Sequence, residues 1–468
     1  MEPLKDPCND RFLRQITPPP ARPLTHSLLF PKNGSLPDWQ LLKSHFQQEG
    51  RLSKSDCLQI VSQANAIFLR EPNLLYLEDP VTIIGDIHGQ YYDLIKILEL
   101  AGDLSNTKYL FLGDYVDRGA FSLEVLMLLY SLKINFPSTI LMLRGNHECR
   151  QLTSFFNFRA ECLIKYDLEV YERITESFDA LPLSCLVNKR FLSLHGGISP
   201  DLKSLQDLAS VQRFTEPPRI GLFCDILWAD PIDTENGAFT ESFKPNEVRG
   251  CSYYFTAHST KKFLKKNKLL SIVRAHEAQI DGYKMYKWNG TADFPVVITV
   301  FSAPNYCDVY NNKGAIIKFL DNCLHIQQYN CSEHPFILPN FMNIFTWSIP
   351  FVAEKVLEMM NHMLHSTSAK GKAENKGGIR EIEAEIKNQK LEKLRNKVRA
   401  ISRMMKMFKT LRNDNELIVQ LKGLCPDNKI PRGILMQGKE AIEGVIDSFS
   451  LAKKYDRVNE RRPTLSKK

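Results

Sequence analysis

No pair of cysteines in this 468-residue chain stands in a C-x-x-C spacing, although the chain holds 11 of them. Single thiols in an odd total argue against a disulfide framework and fit a reduced protein of the cytoplasm, with nuclear access open to it. Long apolar runs are also missing. The stretch FPVVITVF at 294–301 is far short of the roughly 20 residues that a membrane-spanning helix needs. The opening residues MEPLKDPCNDRFLRQITPPPARP are polar and proline-rich, which excludes a secretory signal. No EF-hand loop, internal repeat or lipidation motif occurs, so any calcium dependence has to come from partners.

What is present is a charge asymmetry. Residues 365–468 carry 25 Lys and Arg against 13 Asp and Glu, a balance of +12, whereas residues 1–364 carry 36 against 40, a balance of −4. A basic tail on a slightly acidic body points to a solvated segment or to an acidic partner. Composition alone does not choose between nucleic acid, anionic membrane and protein.

Pattern divides the chain into segments. Residues 1–36 read as an extended arm around Pro18-Pro19-Pro20. Apolar residues near helical spacing predict a helical stretch over 38–72. From about 80 to 330, short β-branched runs alternate with loops and helices: VTII, YLFL, TILML, FLSL, LLSIV, VVITVF and AIIKF. That alternation predicts an α/β catalytic domain over 37–335. An apolar helix is expected within 336–365, starting at Pro350, then a polar linker over 366–389 and a basic helix over 390–412. Residues 413–445 read as a second linker, mostly loop, ahead of a last segment at 446–463.

The chemistry sits where the strands end. VTII runs into Gly85-Asp86-Ile87-His88-Gly89, and YLFL into Gly113-Asp114-Tyr115-Val116-Asp117-Arg118-Gly119. TILML runs into Arg144-Gly145-Asn146-His147-Glu148, FLSL into His195-Gly196-Gly197, and LLSIVRA into His276. Strands of one layer deliver their C-terminal loops to a common edge, so these clusters can converge. Asp86, His88, Asp114, Asn146, His195 and His276 then offer carboxylate, amide and imidazole donors. That mixture suits two adjacent transition metals, such as iron, zinc or manganese, rather than calcium or a thiolate site. A carboxylate can bridge two ions, and Asp114 is the choice for that role. A lone histidine at a strand end is usually a satisfied polar group. Ordered boxes after successive strands are not explained that way.

These boxes, with SAPNYC at 302–307, resemble the phosphoprotein phosphatases among the metallophosphoesterases, over residues 80–330. The resemblance implies a central β-sandwich flanked by helices. It assigns Asp86, His88 and Asp114 to one metal, and Asp114, Asn146, His195 and His276 to the other. The two cations would supply a bridging hydroxide for direct attack on phosphorus. His147 would protonate the departing seryl or threonyl oxygen, oriented by Asp117. Arg118 and Arg249 would present planar forks to the phosphate.

The tail narrows the branch. The helix VAEKVLEMMNHML (352–364) carries a wide apolar stripe after the last catalytic strand. It resembles the calcineurin catalytic-subunit segment that docks in the groove of an EF-hand regulatory subunit. KLEKLRNKVRAISRMMKMFKTLR (390–412) places Ile401, Met405 and Phe408 on one face of a basic helix, complementary to acidic, methionine-lined calmodulin. IDSFSLAKKYDRVNERRP (446–463) is similar to the autoinhibitory segment of that family, which would bring Glu460 near the metals. The implied molecule is a heterodimeric serine/threonine phosphatase, switched on when calmodulin withdraws the tail. It acts on phosphoproteins, not nucleic acid, and has no transmembrane segment. Three departures from the family pattern bear on docking and inhibition: His325-Ile326-Gln327 in place of Asn-Ile-Arg, Phe336-Ile337 in place of Tyr-Trp, and Arg462 in place of Met. The competing readings are a type-1 or type-2A-like phosphatase with an unrelated tail, a nucleic-acid phosphodiesterase, and a catalytically dead scaffold. A basic run with Phe408 as its lone aromatic disfavours the second, and a complete ligand set disfavours the third.

Overall fold

The computed structural model describes residues 18–31, 36–232, 241–288, 294–338 and 341–369. Beyond these it describes residues 396, 400, 403–404, 406–411, 413–424, 430, 434–446 and 449–464. Residues 1–303, 313–334 and 463–468 form one unit, and residues 304–312 and 335–462 a second.

Two sheets carry the first unit. One has five strands, in the order Cys323–Tyr329, Gly314–Leu320, Val81–Ile84, Lys108–Phe111 and Ile140–Met142. The last three run parallel, and their crossovers contain the helices Tyr91–Leu100 and Ser122–Asn135. The other sheet has six strands, in the order Leu74–Leu77, Ser184–Val187, Phe191–Leu194, Ser271–Arg274, Val297–Val300 and Tyr283–Tyr286. Leu75, Val81, Ile83, Leu110, Val273 and Ile298 belong to one buried apolar layer shared by the two sheets, which makes the architecture a sandwich. Strands Val81–Ile84, Phe191–Leu194 and Ser271–Arg274 are buried along their whole length. They therefore lack the in-and-out alternation of a half-buried strand, and bury Thr82, Ser193, Ser271 and Arg274 along with their apolar residues. Among the described residues no helix is long and apolar enough to cross a membrane.

Several expectations are corrected. The helical stretch over 38–72 is two helices, Trp39–Gln47 and Lys54–Phe68. Asp38 caps the first by accepting from the Gln40 and Leu41 amides, and Ser53 caps the second. The arm up to residue 17 lies outside the described residues. Its later part is not wholly extended: it contains the short helix His26–Leu29, with Leu29 and Phe30 buried and a 2.5 Å contact from His26 Nδ1 to Asp56.

In the second unit the long helix Ile344–Ala369 begins ahead of Pro350 rather than at it, and it continues into the expected linker. Residues 370–389 of that linker lie outside the described residues. Residues 403–404 and 406–411 of the expected basic helix are helical. Residues 413–445, read as loop, contain the helices Asn415–Leu424, Ile434–Gln437 and, from 439 onward, Lys439–Ile446. Phe449–Asp456 closes the series.

Candidate metal centre

Each expected ligand leaves a strand on a sharp turn. His88, Asp114 and His276 have φ of 47°, 55° and 71°, a left-handed region that side chains with a Cβ rarely occupy. Outside support holds them there. Glu148 Oε2 accepts from the amides of Asp114 (2.8 Å) and Gly145 (2.9 Å), and Oε1 from the amide of Tyr115 (2.8 Å). One buried carboxylate thereby ties the Asp114 loop to the Asn146 loop. Gly145 has to be glycine, because a Cβ there would collide with the Asp114 carboxylate and amide.

The tautomers follow from acceptors that cannot donate. His88 Nδ1 lies 2.9 Å from the Val116 carbonyl, and His195 Nδ1 lies 3.1 Å from the Leu112 carbonyl. A carbonyl only accepts, so both Nδ1 atoms carry the proton and both Nε2 atoms present a lone pair. His88 Nε2 faces Asp114 Oδ2 at 3.5 Å and Asp86 Oδ2 at 4.0 Å. His195 Nε2 faces Asn146 Oδ1 at 2.8 Å, His276 Nδ1 at 3.2 Å and Asp114 Oδ2 at 3.4 Å.

Lone pairs thus converge on two points that share Asp114. His88, Asp114 and His147 offer ligand atoms within 4.8 Å of one another, and so do Asp114, His195 and His276. All the members are buried. Two cations resolve this crowding of acceptors, and the nitrogen and oxygen donors with no thiolate among them fit transition metals. The structure brings together all six expected ligands. Asp86 is tied in by accepting from the His276 amide at 3.1 Å.

Electrostatics report the same need for cations. Burial, reinforced by the neighbouring Asp114 charge, pushes Asp86 up to about 7 and Glu148 up to about 8. Burial alone would raise Asp114 as well, but the facing imidazoles of His195 and His147 hold it below the usual carboxylate range. Burial is also the leading cause that lowers His88 to about 3.

The remaining expected residues flank the pair. His147 Nδ1 donates to Asp117 Oδ2 at 2.8 Å, and the His147 amide donates to Asp114 Oδ1 at 2.9 Å. Burial lowers His147 to about 4 and raises Asp117 well above its ordinary value. Arg249 donates through Nε to Asp230 (2.9 Å) and through Nη2 to the His276 carbonyl (3.3 Å). Asp230 also accepts from Arg274 and Asn246, each at 2.9 Å, and burial notwithstanding, the two guanidiniums keep its carboxyl low. The Arg118 guanidinium lies 4.5 Å from the Phe156 ring centre. Sequence reasoning assigned no role to Glu148, Asp230, Phe156 or Asn157. Glu148 stood in view inside its motif, whereas nothing local marks the other three.

A pair of buried carboxylate–imidazole nests sharing one aspartate, at the strand ends of a sandwich, defines a dinuclear metal-dependent phosphoesterase. The family model for calcineurin-like phosphoesterase matches residues 79–279. In Saccharomyces cerevisiae, serine/threonine-protein phosphatase 2B catalytic subunit A1 is 46% identical over 466 residues, covering 93% of this chain and 84% of the relative. Catalytic subunit A2 of the same yeast is 42% identical, covering 97% and 84%. A solved protein serine/threonine phosphatase from that yeast superposes with a TM-score of 0.58 at 33% identity, covering 68% of this chain and 100% of the other. The chain belongs to the calcineurin (phosphatase 2B) catalytic-subunit family.

Proposed function

We propose that this chain is a calcium- and calmodulin-dependent serine/threonine phosphatase whose own C-terminal segment inhibits it. The observation that carries the reading is the convergence of imidazole and carbonyl lone pairs on two points sharing Asp114, in a chain 46% identical to a phosphatase 2B catalytic subunit. Asp86, His88 and Asp114 would hold one metal, and Asp114, Asn146, His195 and His276 the other. Iron and zinc suit these nitrogen and oxygen donors, with manganese able to substitute. When bound, the cations supply Lewis acidity and an acidified water at neutral pH.

The chain's own residues do the rest. Arg118 and Arg249 bind the phosphate of a phosphoserine or phosphothreonine through planar, permanently charged forks. Asp230 fixes the Arg249 fork from behind, since Nε is already committed to it. The departing seryl or threonyl oxygen leaves badly as an alkoxide and takes a proton from His147 Nε2. Asp117 holds the ring at its other nitrogen and stabilises its protonated form.

Regulation is read from the second unit. On the helix Ile344–Ala369, Phe345 is 81% exposed, and Ile349, Val352, Val356, Met359 and Met363 are exposed too. An apolar face of this kind favours a helix-in-groove partner, an EF-hand subunit at 336–365 that makes the enzyme a heterodimer. Calmodulin would take the basic stretch 390–412. The helix Phe449–Asp456 is tied to the loop 304–312, because the Tyr310 hydroxyl donates to Asp456 Oδ2 at 2.8 Å and the Tyr310 ring lies 5.6 Å from that of Phe449. Beyond it, the Pro463 carbonyl accepts from Gln151 (2.6 Å) and Arg219 (2.7 Å) of the catalytic unit. The family resemblance makes this tail the inhibitory segment, in which Glu460 would act as a phosphate mimic. Calmodulin would shift the population towards the released state. The cytoplasm is the proposed location, since single thiols suit a reducing compartment.

The test is hydrolysis of a phosphoserine peptide with and without calcium, calmodulin and an EF-hand subunit, alongside a chain ending after residue 385. The full chain should need all three additions, and the shortened chain should work without calcium or calmodulin. Turnover of single-stranded DNA in preference to phosphopeptide would replace the reading with a nuclease, and calmodulin-independent activity of the full chain would replace it with a type-1-like phosphatase.

A further inference from the structure

Phe156 and Asn157, which link the helices Arg150–Phe155 and Phe158–Lys165, and Phe158, the first residue of the second, all reach the loop that carries Asp117 and Arg118. The Phe158 amide donates to Asp117 Oδ1 at 3.0 Å. Asn157 Oδ1 accepts from the Arg118 amide at 2.6 Å, while its Nδ2 donates to the Gly119 carbonyl at 2.8 Å. The Phe156 ring lies under the Arg118 guanidinium at 4.5 Å. The same ring stands 5.0 Å from the imidazole of His147, tilted by 34°.

That loop needs a brace. Asp117 and Arg118 have φ of 69° and 72°, two left-handed residues in succession and neither a glycine. Left-handed residues with a Cβ are disfavoured one by one, and a consecutive pair persists only where its surroundings over-determine it. Asn157 supplies one acceptor to the Arg118 amide and one donor to the Gly119 carbonyl, as a neighbouring strand would. Phe156 acts on the side chain. A guanidinium on a long flexible stem loses rotamer freedom when it grips an anion, and an aromatic face beneath it removes part of that freedom beforehand. Core filling alone does not account for this ring. Phe156 is only partly buried against the apolar cluster, and its neighbour Phe155 is 51% exposed.

We infer that Phe156 and Asn157 are positioning residues: Phe156 pre-orients the Arg118 fork towards phosphate and steadies the His147 ring, and Asn157 holds the backbone from which that fork projects. Both act through Arg118 and His147 and touch no reacting atom. The inference rests on the reading of Arg118 as a phosphate ligand, and the experiment separates the two.

The full chain, loaded with metal and with calcium, calmodulin and an EF-hand subunit present, is titrated calorimetrically with inorganic phosphate as Phe156→Leu, as Arg118→Ala and as the double variant. A cation–π contact of this kind corresponds to about fivefold in affinity, so Phe156→Leu should weaken phosphate binding by about that factor. In the Arg118→Ala background, Phe156→Leu should cause no further loss, and Phe156→Tyr should bind as the unaltered chain does. A purely structural role would make the two losses multiply, and that result overturns the inference, as does phosphate binding unchanged in Phe156→Leu. Should Phe156→Leu prove insoluble, Phe156→Met is read by the same criteria. If the unaltered metal-loaded chain, with calcium, calmodulin and an EF-hand subunit added, neither binds phosphate nor hydrolyses a phosphopeptide, the proposed function falls and takes the brace with it. If it does both and the losses multiply, the brace alone falls.

Discussion

Replacing Asp117 by Asn tests the acid more sharply than removing His147 does, because it keeps shape and changes only the proton inventory. Asp117 accepts twice: from His147 Nδ1 at 2.8 Å and from the Phe158 amide at 3.0 Å. An asparagine offers one acceptor oxygen and one donor nitrogen, and it cannot serve both. If its oxygen stays on Phe158, its NH2 faces His147 Nδ1, the ring proton moves to Nε2, and the doubly protonated acid form has no anion beside it. If the amide turns over, two donors meet at Phe158 in a buried site. In either arrangement a hydrogen bond to a charged group is lost, about 1.5–3 kcal/mol. Expressed as a barrier, that is roughly a 10- to 150-fold fall in kcat.

The assay compares two substrates. A phosphoserine peptide leaves as an alkoxide and needs the proton, whereas an aryl phosphate such as p-nitrophenyl phosphate leaves as a stable phenolate. Asp117→Asn should therefore cost kcat on the peptide by the full factor and on the aryl ester by only a small one, with KM and metal content little changed. An equal loss on both substrates would refute the assignment of His147 as the acid.

Removing the metals should abolish turnover and lower the melting temperature, because carboxylates and lone pairs packed this tightly repel one another without cations. A ligand present at about 100 times its Kd contributes ~2.7 kcal/mol of stability, and re-addition of zinc or manganese in a thermal-shift assay should restore it. Tyr310→Phe deletes the hydroxyl that donates to buried Asp456. A bond worth about 1–2 kcal/mol should then raise calmodulin-independent activity roughly five- to thirtyfold, while activity with calmodulin stays as it is. Unaltered basal activity would mean that this contact plays no part in holding the tail.

The legible part of this protein was local. Gly85-Asp86-Ile87-His88-Gly89 and its counterparts each lie within a few residues of an apolar strand, so both the strand and its cargo stood in one window of sequence. The strands Leu74–Leu77 and Ser184–Val187 did not stand out, because neither runs directly into a box of ligand residues as Val81–Ile84 and Phe191–Leu194 do. The break between Trp39–Gln47 and Lys54–Phe68 was readable in principle, since Ser53 followed by Asp56 is a helix-start pattern. The helices between 413 and 446 were passed over as loop because they are ten residues or fewer and carry no long apolar stripe.

The supports of the site were illegible for a different reason. Glu148 ties Asp114 to Gly145 across a separation of 34 residues in sequence, and Asn157 reaches Arg118 across 39. No periodicity encodes such pairs, because they connect two loops whose meeting is decided by sheet order. The division has a physical basis. Ligands can be read from strand ends because chemistry dictates their type, but His88, Asp114, Asp117, Arg118 and His276 sit in left-handed backbone that their own sequence does not favour. Holding them there falls to groups from elsewhere in the fold, so substitution of Glu148 or Asn157 removes more than a contact. It releases a loop to relax towards ordinary backbone geometry and carries a ligand or a phosphate fork away with it.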